Sequence, residues 1–547
     1  MFLRLAPLLI GVLRLVGAAP MTTQTSITVD LGYTIQEGLL ETNHGNVPYL
    51  NFTNVRYAAP PTGSGRFQPP GPPAENRTTQ TAGSYGIECP QAQPGWFNYI
   101  GSDVGNQTEM PSFTKADVYP PKPGSSEDCL FLDVLVPEHV FNVRNTSKVP
   151  VLLFIHGGGY VQGSKTEYGS GVGLLNAAVQ NGQDLIYVSI NYRLGLFGFL
   201  AGSNPSDVTP NLGLQDQTFA IQWVQQHIHL FGGNSSAVAV VGESAGAGSI
   251  LYHLTSPDVS SLSLFTRAIV QSPYTYYIPE SQQTETFRQV LLASNASSLA
   301  ELRNLPTEVL QTANGIVVGN SRPYGTFGFG PVIDDDLYTG YPPLLLRQAQ
   351  FDHSVQVMAG HNTNEGLLFA SPFIHHNKQF DSNIALLFPE APGSALSAVT
   401  QTLYPANFNG TFGYVDQLGR IARVIADATI ICNNYFIGRV FEPLNPRFAY
   451  EFSVPPAWHA NDLTYTFLDP SNPSSGVNVT LAVIMQRYFA SFVTSGSPNP
   501  VAGGLLPDFT SGEGLIVQSL NSTLVGPVLD AAINSSRCDW WQEGLFV

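Results

Sequence analysis

Charged side chains are scarce in this chain. Only 12% of its 547 residues are Asp, Glu, Lys or Arg, about half of the roughly 25% typical of soluble domains. Disordered chains combine high charge with few aromatic side chains, so a chain that is 43% hydrophobic and 11% aromatic is expected to fold. Basic residues are the scarcer sign, with 23 against 40 acidic residues and a net charge of −17. A surface that neutralises nucleic-acid phosphates is therefore excluded.

Cysteine is also rare. Four cysteines in 547 residues exclude a small, disulfide-dense scaffold. In an oxidising compartment four cysteines suggest two disulfides, and the sequence alone allows three pairings. A nearest-neighbour pairing would join Cys89 to Cys129 and Cys432 to Cys538, while the alternative leaves one or more buried free thiols.

Long apolar runs are missing beyond the N-terminus, so stable membrane insertion is not expected. Residues 1–18 carry an early positive charge at Arg4 and an apolar run over 5–16, which is typical of a secretory signal peptide cleaved near Ala18. A membrane anchor is the alternative, but the run is too short and is interrupted by Arg14. The mature chain is therefore predicted to be secreted and extracellular.

Ten Asn-x-Ser/Thr sequons support export, because glycosylated sequons lie on the surface of secreted proteins. Each sequon alone is weak evidence, since Asn, Ser and Thr also crowd ordinary loops. The ten candidate glycosylation sites are Asn51, Asn76, Asn106, Asn145, Asn234, Asn295, Asn409, Asn478, Asn521 and Asn534.

Apolar, β-rich runs recur along the chain and each leads into a turn signal. Three of them cover residues 149–155, 185–190 and 237–241. Continuous Val, Ile and Leu runs are typical of strands buried on both faces, as in a parallel sheet. Residues 215–230 have the apolar spacing of an amphipathic helix, and helical patterns follow at 415–438 and 480–494. This alternation predicts an α/β fold with right-handed crossovers.

The third run leads into GESAG at 242–246, a G-x-S-x-G motif placed between a strand and a helix-capable segment. A serine on such a sharp turn has its hydroxyl exposed above the sheet, and glycines on both sides avoid Cβ clashes. The helix that follows directs free N–H groups and the positive end of its dipole at the same point. Ser244 is therefore the candidate nucleophile.

The first run leads into HGGGY at 156–160. Glycines allow backbone N–H groups to approach a developing oxyanion without obstruction by side chains, so Gly158, Gly159 and Ala245 are the candidate donors. The competing interpretation is a dinucleotide phosphate loop, which requires a helix that begins at the glycines. Residues 160–165 do not resemble the start of a helix.

With these motifs in place, the chain resembles the type-B carboxylesterase/lipase family, which includes cholinesterases and secreted fungal-type lipases. The resemblance runs over nearly the whole mature chain. The ordered landmarks are RYAAPP at 56–61, SEDCL at 126–130, HGGGY at 156–160, NYR at 191–193, NLGLQDQ at 211–217, FGG at 231–233, GESAG at 242–246, RAIVQS at 267–272 and PVID at 331–334. It implies one α/β-hydrolase domain over 19–547, with a large, mostly parallel sheet flanked by helices, helical insertions and a lid or flap loop.

The family order of Ser, then Glu, then His implies the rest of the catalytic set. Glu365 lies in GHNTNEG at 360–366 and His459 in WHAND at 458–462, so both match the family pattern. The other histidines considered, His353, His361 and the pair His375 and His376, lie in polar loop contexts without that pattern, and surface roles are expected for them.

In the implied mechanism His459 takes the proton of Ser244, while Glu365 fixes the imidazole tautomer and stabilises the imidazolium. Water then hydrolyses the acyl-enzyme, and no metal or organic cofactor is expected. The resemblance also supports the nearest-neighbour disulfides, with Cys89–Cys129 closing a flap at 89–129 and Cys432–Cys538 forming a C-terminal bridge.

The substrate is expected to be a small-molecule or lipid ester. A lipase lid requires an amphipathic helix, whereas the flap contains several prolines and the sequon at Asn106. A secreted esterase is therefore favoured over a triacylglycerol lipase or sterol esterase. An aryl (feruloyl-type) esterase, a lactonase or an amidase stays open, and a catalytically dead adhesion module is disfavoured because all three triad candidates are present. Trp96 is expected to pack against the body of the protein rather than to bind a cation.

Overall fold

The computed structural model describes residues 27–42, 47–81, 86–202, 208–441, 448–500, 506–510 and 515–547. The predicted signal peptide at 1–18 lies outside these ranges. Thirteen strands in the described ranges form one sheet. They are β1 Ile27–Asp30, β2 Thr34–Glu41, β3 Tyr49–Arg56, β4 Asn76–Gln80, β5 Phe131–Pro137, β6 Val149–Ile155, β7 Ile186–Ile190, β8 Gly233–Glu243, β9 Arg267–Gln271, β10 Gln356–Asn362, β11 Phe448–Phe452, β12 Ile516–Leu520 and β13 Val525–Leu529.

Seventeen α-helices lie in the same ranges. They are α1 Glu138–Asn142, α2 Val172–Gln180, α3 Gly195–Phe199, α4 Leu212–His227, α5 Ala245–Thr255, α6 Pro257–Ser261, α7 Glu280–Ser294, α8 Leu299–Asn304, α9 Thr307–Gly319, α10 Pro342–Arg347, α11 Asn377–Leu387, α12 Gly393–Ser397, α13 Gln417–Ala426, α14 Cys432–Phe441, α15 Leu463–Thr466, α16 Val479–Ser495 and α17 Ser535–Trp541. None of the helices in the described ranges is long and apolar enough to cross a bilayer.

The strand order is β1-β2-β3-β5-β7-β6-β8-β9-β10-β11-β12-β13, with β4 beside β2. The seven strands from β7 to β12 along this order are parallel to one another. Antiparallel strands extend the sheet on both sides, through β5 and through β13. The predicted α/β architecture with a large, mostly parallel sheet is therefore present.

The parallel strands are buried on both faces, which explains their unbroken apolar sequences. In β6, Val151, Leu153 and Ile155 join one core cluster, whereas Leu152 and Phe154 join a second cluster on the opposite face. Helices α2 and α16 pack on the second face. Because both faces of such a strand are buried, apolar and polar residues do not alternate along it, and its apolar run is continuous.

Two of the predicted helices differ from the structure in detail. The helix predicted at 215–230 begins earlier, as α4 at Leu212, and ends at His227 with a 3-10 turn after it. The pattern at 415–438 is not one regular helix, because a π-helical turn over Asp427–Ile431 separates α13 from α14. Every side chain of that turn is buried, so the turn has no exposed polar side from which a change of helical period could be read.

The topology explains where a site forms. From β6 the chain crosses to β7 on one side, whereas β8 lies on the other side of β6. In open parallel sheets, ligands bind outside the carboxyl ends of the strands at the point where the strand order reverses. The HGGG segment follows β6 and Ser244 follows β8, so both motifs meet at this position.

Candidate active site

Ser244 lies at the turn between β8 and α5, in a strained backbone conformation. Its φ of 56° and ψ of −121° are unusual for a residue with a side chain, and such strain costs about 1–3 kcal/mol. The turn depends on the flanking glycines. A Cβ on Gly242 would lie 2.5 Å from the carbonyl carbon of Gly246, and a Cβ on Gly246 would lie 2.1 Å from the oxygen of Ile155.

The glycine segment after β6 presses against this turn. A Cβ on Gly157 would lie 3.0 Å from Cβ of Ser244. Gly158 and Gly159 have φ values of 101° and 62°, and a Cβ on Gly159 would lie 2.2 Å from the Phe327 ring. In the described ranges the N–H groups of Gly158, Gly159 and Ala245 donate no hydrogen bond. They are therefore free to bind an oxyanion.

His156 packs against the glycine segment that follows it in the sequence. Its ring is fully buried, stacks on Tyr192 with ring centroids 4.3 Å apart, and has Nδ1 2.9 Å from the carbonyl oxygen of Gly157. Burial lowers the pKa of His156 to about 4. The neutral ring donates to that carbonyl oxygen, and the contact helps to fix the peptides of the segment.

Glu365 and His459 come together from separate loops. Nδ1 of His459 lies 2.5 Å from Oε2 of Glu365, and both side chains are buried. The other carboxylate oxygen of Glu365 accepts hydrogen bonds from the Asn362 N–H and the Ser272 hydroxyl, each at 2.6 Å. Burial alone would raise the pKa of Glu365, but His459 and these donors hold it below its ordinary value. The geometry suits a carboxylate that orients an imidazole.

A second carboxylate, Glu243, faces the other side of the imidazole. Its Oε1 lies 3.3 Å from Nε2 of His459, and Nε2 has no hydrogen-bond partner in the described part of the chain. Burial raises the pKa of Glu243 to about 8. The pKa of His459 is raised to about 9, because Glu243 and Glu365 outweigh the opposing effect of burial.

Asp462 ties the histidine loop to three strands. It is fully buried and accepts hydrogen bonds from Tyr450 at 2.8 Å, Gln271 at 2.9 Å and Asn362 at 3.1 Å. In the sequence, Asp462 is marked only as part of the motif around His459, and Glu243 only as part of the motif around Ser244. The signal for Glu243 was its position directly before Ser244, whereas the partners of Asp462 are distant in sequence.

These groups open into one cavity of about 1180 Å³. Ser244, His459, Glu243, Gly158 and Gly159 lie in its wall. Its apolar lining comes from the body and from residues 89–129, namely Phe97, Ile100, Phe113, Val118, Tyr119, Phe327, Leu368, Phe369 and Trp458. The site thus lies in the wall of a large cavity that is partly lined by the predicted flap.

Both predicted cysteine pairings are present. Cys89 is bonded to Cys129 and Cys432 to Cys538. Within 89–129, which is fully described, the only helical elements are two short 3-10 turns, Gly95–Tyr99 and Lys115–Asp117.

Trp96 packs into the body as expected. Its side chain is fully buried between Phe97, Tyr324 and Phe327, and its indole N–H donates to the oxygen of Thr326 at 2.7 Å. The ring therefore has no free face for a cation.

The prediction of a surface role for His361 is wrong. His353, His375 and His376 are exposed, but His361 lies inside β10 with 0% of its surface accessible. Its Nε2 lies 2.8 Å from Oδ2 of Asp530. Polar neighbours in the sequence made residues 361–364 resemble a loop, whereas the partner that permits burial of the imidazole lies near the C-terminus.

The candidate glycosylation sites differ in exposure. Six are exposed and four are half-buried. The exposed ones are Asn76, Asn106, Asn145, Asn295, Asn409 and Asn534, and the half-buried ones are Asn51, Asn234, Asn478 and Asn521. The amide nitrogen of Asn521 also donates to the oxygen of Ser453 at 2.6 Å, so a glycan at this atom would break a contact. No group of three or more potential metal ligands is found in the part of the chain that is described.

Comparisons with known proteins agree with this geometry. Residues 25–538 match the profile of the carboxylesterase family. Carboxylesterase patB of Penicillium expansum is 35% identical over 546 residues, covering 94% of this chain and 95% of that protein. Cholinesterase of Mus musculus is 30% identical over 545 residues, covering 90% of this chain and 82% of that protein.

Among solved structures, Aspergillus niger EstA superposes with a TM-score of 0.79 at 26% identity, over 95% of this chain and 98% of that one. A PNB esterase superposes with a TM-score of 0.71 at 24% identity, over 95% of this chain and all of that one. The sheet and its flanking helices are those of the α/β-hydrolase fold.

Proposed function

Because this chain belongs to the carboxylesterase family and is a carboxylic-ester hydrolase, we propose that it cleaves esters through an acyl-enzyme formed on Ser244. The observation that carries the proposal is the 2.5 Å contact between His459 and Glu365, because His459 and Ser244 both line the same cavity. A serine hydroxyl is too weak an acid to attack an ester unaided, so a positioned base is required.

In the proposed reaction Nε2 of His459 takes the proton as Oγ of Ser244 attacks the ester carbonyl. The N–H groups of Gly158, Gly159 and Ala245 stabilise the resulting oxyanion, each contributing roughly 3 kcal/mol to the transition state. The imidazolium then protonates the leaving alcohol, and water repeats the steps to release the acid. Glu365 keeps the proton on Nδ1, which leaves Nε2 free to act as the base.

Nε2 of His459 lies 3.3 Å from Glu243. In free enzymes catalytic hydrogen bonds are often long and tighten only when the substrate binds. Glu243 does not hydrogen-bond to this nitrogen, which has no partner in the described part of the chain. Substrate binding would then bring Nε2 and the serine hydroxyl into contact.

We favour an esterase over an interfacial lipase. A lid that opens onto lipid requires an amphipathic helix, and the only helical elements in residues 89–129 are two short 3-10 turns. One observation favours the alternative of a triacylglycerol or sterol ester. The cavity of about 1180 Å³ exceeds the roughly 300–1,000 Å³ usual for small-molecule sites, and much of its wall is apolar.

We also propose that the chain is a secreted glycoprotein with one catalytic domain over 19–547 and a flap at 89–129. Two disulfides are typical of an oxidising compartment. The six exposed sequons are the expected glycan carriers. Mass spectrometry of peptides from the secreted protein, before and after enzymatic deglycosylation, would identify which asparagines are modified, and modification at Asn521 would contradict this assignment.

The function is tested with p-nitrophenyl esters of rising acyl length, together with a triglyceride emulsion and aryl esters. Purified wild type is expected to hydrolyse soluble esters, with no jump in rate when the substrate forms an interface. Ser244→Ala is expected to be inactive while keeping the wild-type melting temperature to within a few degrees. Full activity of Ser244→Ala, or no hydrolysis of any ester by wild type, would overturn the mechanism.

A further inference from the structure

The pair formed by His361 and Asp530 has no role in the reaction described above. Both residues are buried, with 0% and 1% of their surfaces accessible, and they join β10 to the segment directly after β13. Burial of two ionisable groups is costly unless they are paired and hydrogen-bonded. A pair at this location therefore calls for a structural or functional reason.

The contacts of the imidazole indicate that it is charged. Nε2 lies 2.8 Å from a carboxylate oxygen of Asp530, and Nδ1 lies 3.0 Å from the carbonyl oxygen of Asn362. A carbonyl oxygen only accepts hydrogen bonds, and so does an ionised carboxylate. Both ring nitrogens must then carry hydrogen, as in the imidazolium. Asp530 and the more distant Glu451 raise the pKa of His361 to about 10, although burial alone would lower it.

The carbonyl oxygen that accepts the hydrogen bond from His361 belongs to Asn362, and Asn362 also binds Glu365, the candidate catalytic carboxylate. The N–H of Asn362 donates to Oε1 of Glu365 at 2.6 Å. The side-chain amide of Asn362 donates to Asp462 at 3.1 Å, and through Asp462 it contacts the loop of His459. Rotation of the peptides around Asn362 would therefore displace the hydrogen bond that fixes Glu365.

The turn that carries Glu365 is also clamped from the helical side. A Cβ on Gly366 would lie 1.8 Å from the oxygen of Ala422 in α13. The next residue of α13, Arg423, donates to the oxygen of Ala532, while the N–H of Ala532 donates to Oδ1 of Asp530 at 2.9 Å. Helix α13 and the C-terminal segment thus hold the turn from two directions.

We propose that His361 and Asp530 are positioning residues, which fix the turn 362–365 so that Glu365 stays in line with His459. The inference rests on the proposed function, because it assigns the pair a role through Glu365. The charged groups that face His361 are Asp530 and Glu451, and Arg423 faces Asp530.

The test compares Asp530→Ala with Asp530→Asn. Alanine leaves Nε2 of His361 without its carboxylate partner, so the turn loosens, and kcat is expected to fall about 10–100-fold with KM changed less than about twofold. Asparagine is expected to restore most of kcat. A neutral His361 still donates from Nδ1 to Asn362 and accepts from the asparagine amide at Nε2.

A readout beyond stability is the pH profile of kcat/KM, which reports ionisations of the free enzyme. Contact with Glu365 helps to raise the pKa of His459. If Glu365 is displaced in Asp530→Ala, that pKa falls, and the acidic limb of the profile is expected to move to lower pH.

The matched control is Arg537→Gln. It removes another buried charge from the same C-terminal segment, where Arg537 lies 2.9 Å from Asp427, but it does not touch the turn. It is expected to lower the melting temperature without changing kcat or the pH profile. If Asp530→Ala does not fold, His361→Gln removes the Nδ1 donor and is assayed in the same way.

Unchanged kcat and an unchanged pH profile in the folded variants would overturn the positioning role and leave the pair purely structural. Failure of the proposed function is distinguishable, because it would appear as ester hydrolysis that survives Ser244→Ala.

Discussion

The two halves of the candidate site are held in place by different forces. The Ser244 side is fixed by backbone contacts that leave no room for a Cβ, as at Gly246 against the oxygen of Ile155. The side of Glu365 and His459 is fixed by side-chain hydrogen bonds and buried charges that converge from β9, β10, β11 and the C-terminal segment. Substitutions on the Ser244 side should therefore abolish folding or activity outright. Substitutions on the side of Glu365 and His459 should lower activity in graded steps.

The largest effect is expected from Gly246→Ala. The new Cβ would lie 2.1 Å from the oxygen of Ile155, and the strand and helix would have to separate. We expect a loss of more than about 3 kcal/mol of stability, since backbone clashes lie at the severe end of overpacking, and no measurable hydrolysis.

The control for this variant is Gly393→Ala, where a Cβ meets nothing within 4 Å. Its unfolding free energy is expected to stay within about 0.5 kcal/mol of wild type. Urea unfolding followed by fluorescence checks both variants. Wild-type activity in Gly246→Ala would contradict the steric account of the Ser244 side.

A smaller effect is expected from Glu365→Gln. The amide cannot stabilise an imidazolium and favours the wrong tautomer of His459, so kcat is expected to fall about 10³–10⁴-fold. Binding contacts of the ester are unchanged, so KM should change little. The exposed Glu280→Gln is the matched control and should keep wild-type kcat. A loss below tenfold in Glu365→Gln would mean that another carboxylate orients His459.

The smallest effect is expected from Glu243→Gln, as a shift in pH dependence. The reaction needs neutral His459, so kcat/KM rises as pH increases through the pKa of this group. Glu243 and Glu365 raise that pKa above 6.5 despite burial, and the acidic limb of wild type is therefore expected above pH 6.5. Removing the charge of Glu243 should move the limb to lower pH. Glu243 and His459 titrate as a coupled pair, so the whole pH profile of Glu243→Gln must be compared with that of wild type. Identical midpoints would contradict the assigned cause.

The sequence predicts the strand-turn-helix geometry at Ser244, because steric constraint leaves glycines at fixed positions such as Gly242, Gly246 and the run at 157–159. The buried strands are predicted for a similar reason, as two apolar faces give an unbroken apolar run. The acid and histidine side is predicted only through the family resemblance, on the motifs around Glu365 and His459.

What holds that side in place could not be predicted. His361 was expected at the surface, since its neighbours are polar and its partner Asp530 lies 169 positions away. Tyr450 and Gln271, which bind Asp462, carry no local motif either. A hydrogen-bond network between distant strands constrains three-dimensional positions and leaves no periodic pattern in the chain.

The central claim is that Ser244 forms the acyl-enzyme, and covalent trapping tests it most directly. A p-nitrophenyl phosphonate ester mimics the tetrahedral intermediate and is attacked by an activated serine. Intact-protein and peptide mass spectrometry are expected to find one phosphonyl group per chain, on Ser244, with none in Ser244→Ala and much slower labelling in His459→Ala. Labelling at another residue, or equal labelling of wild type and Ser244→Ala, would contradict the account.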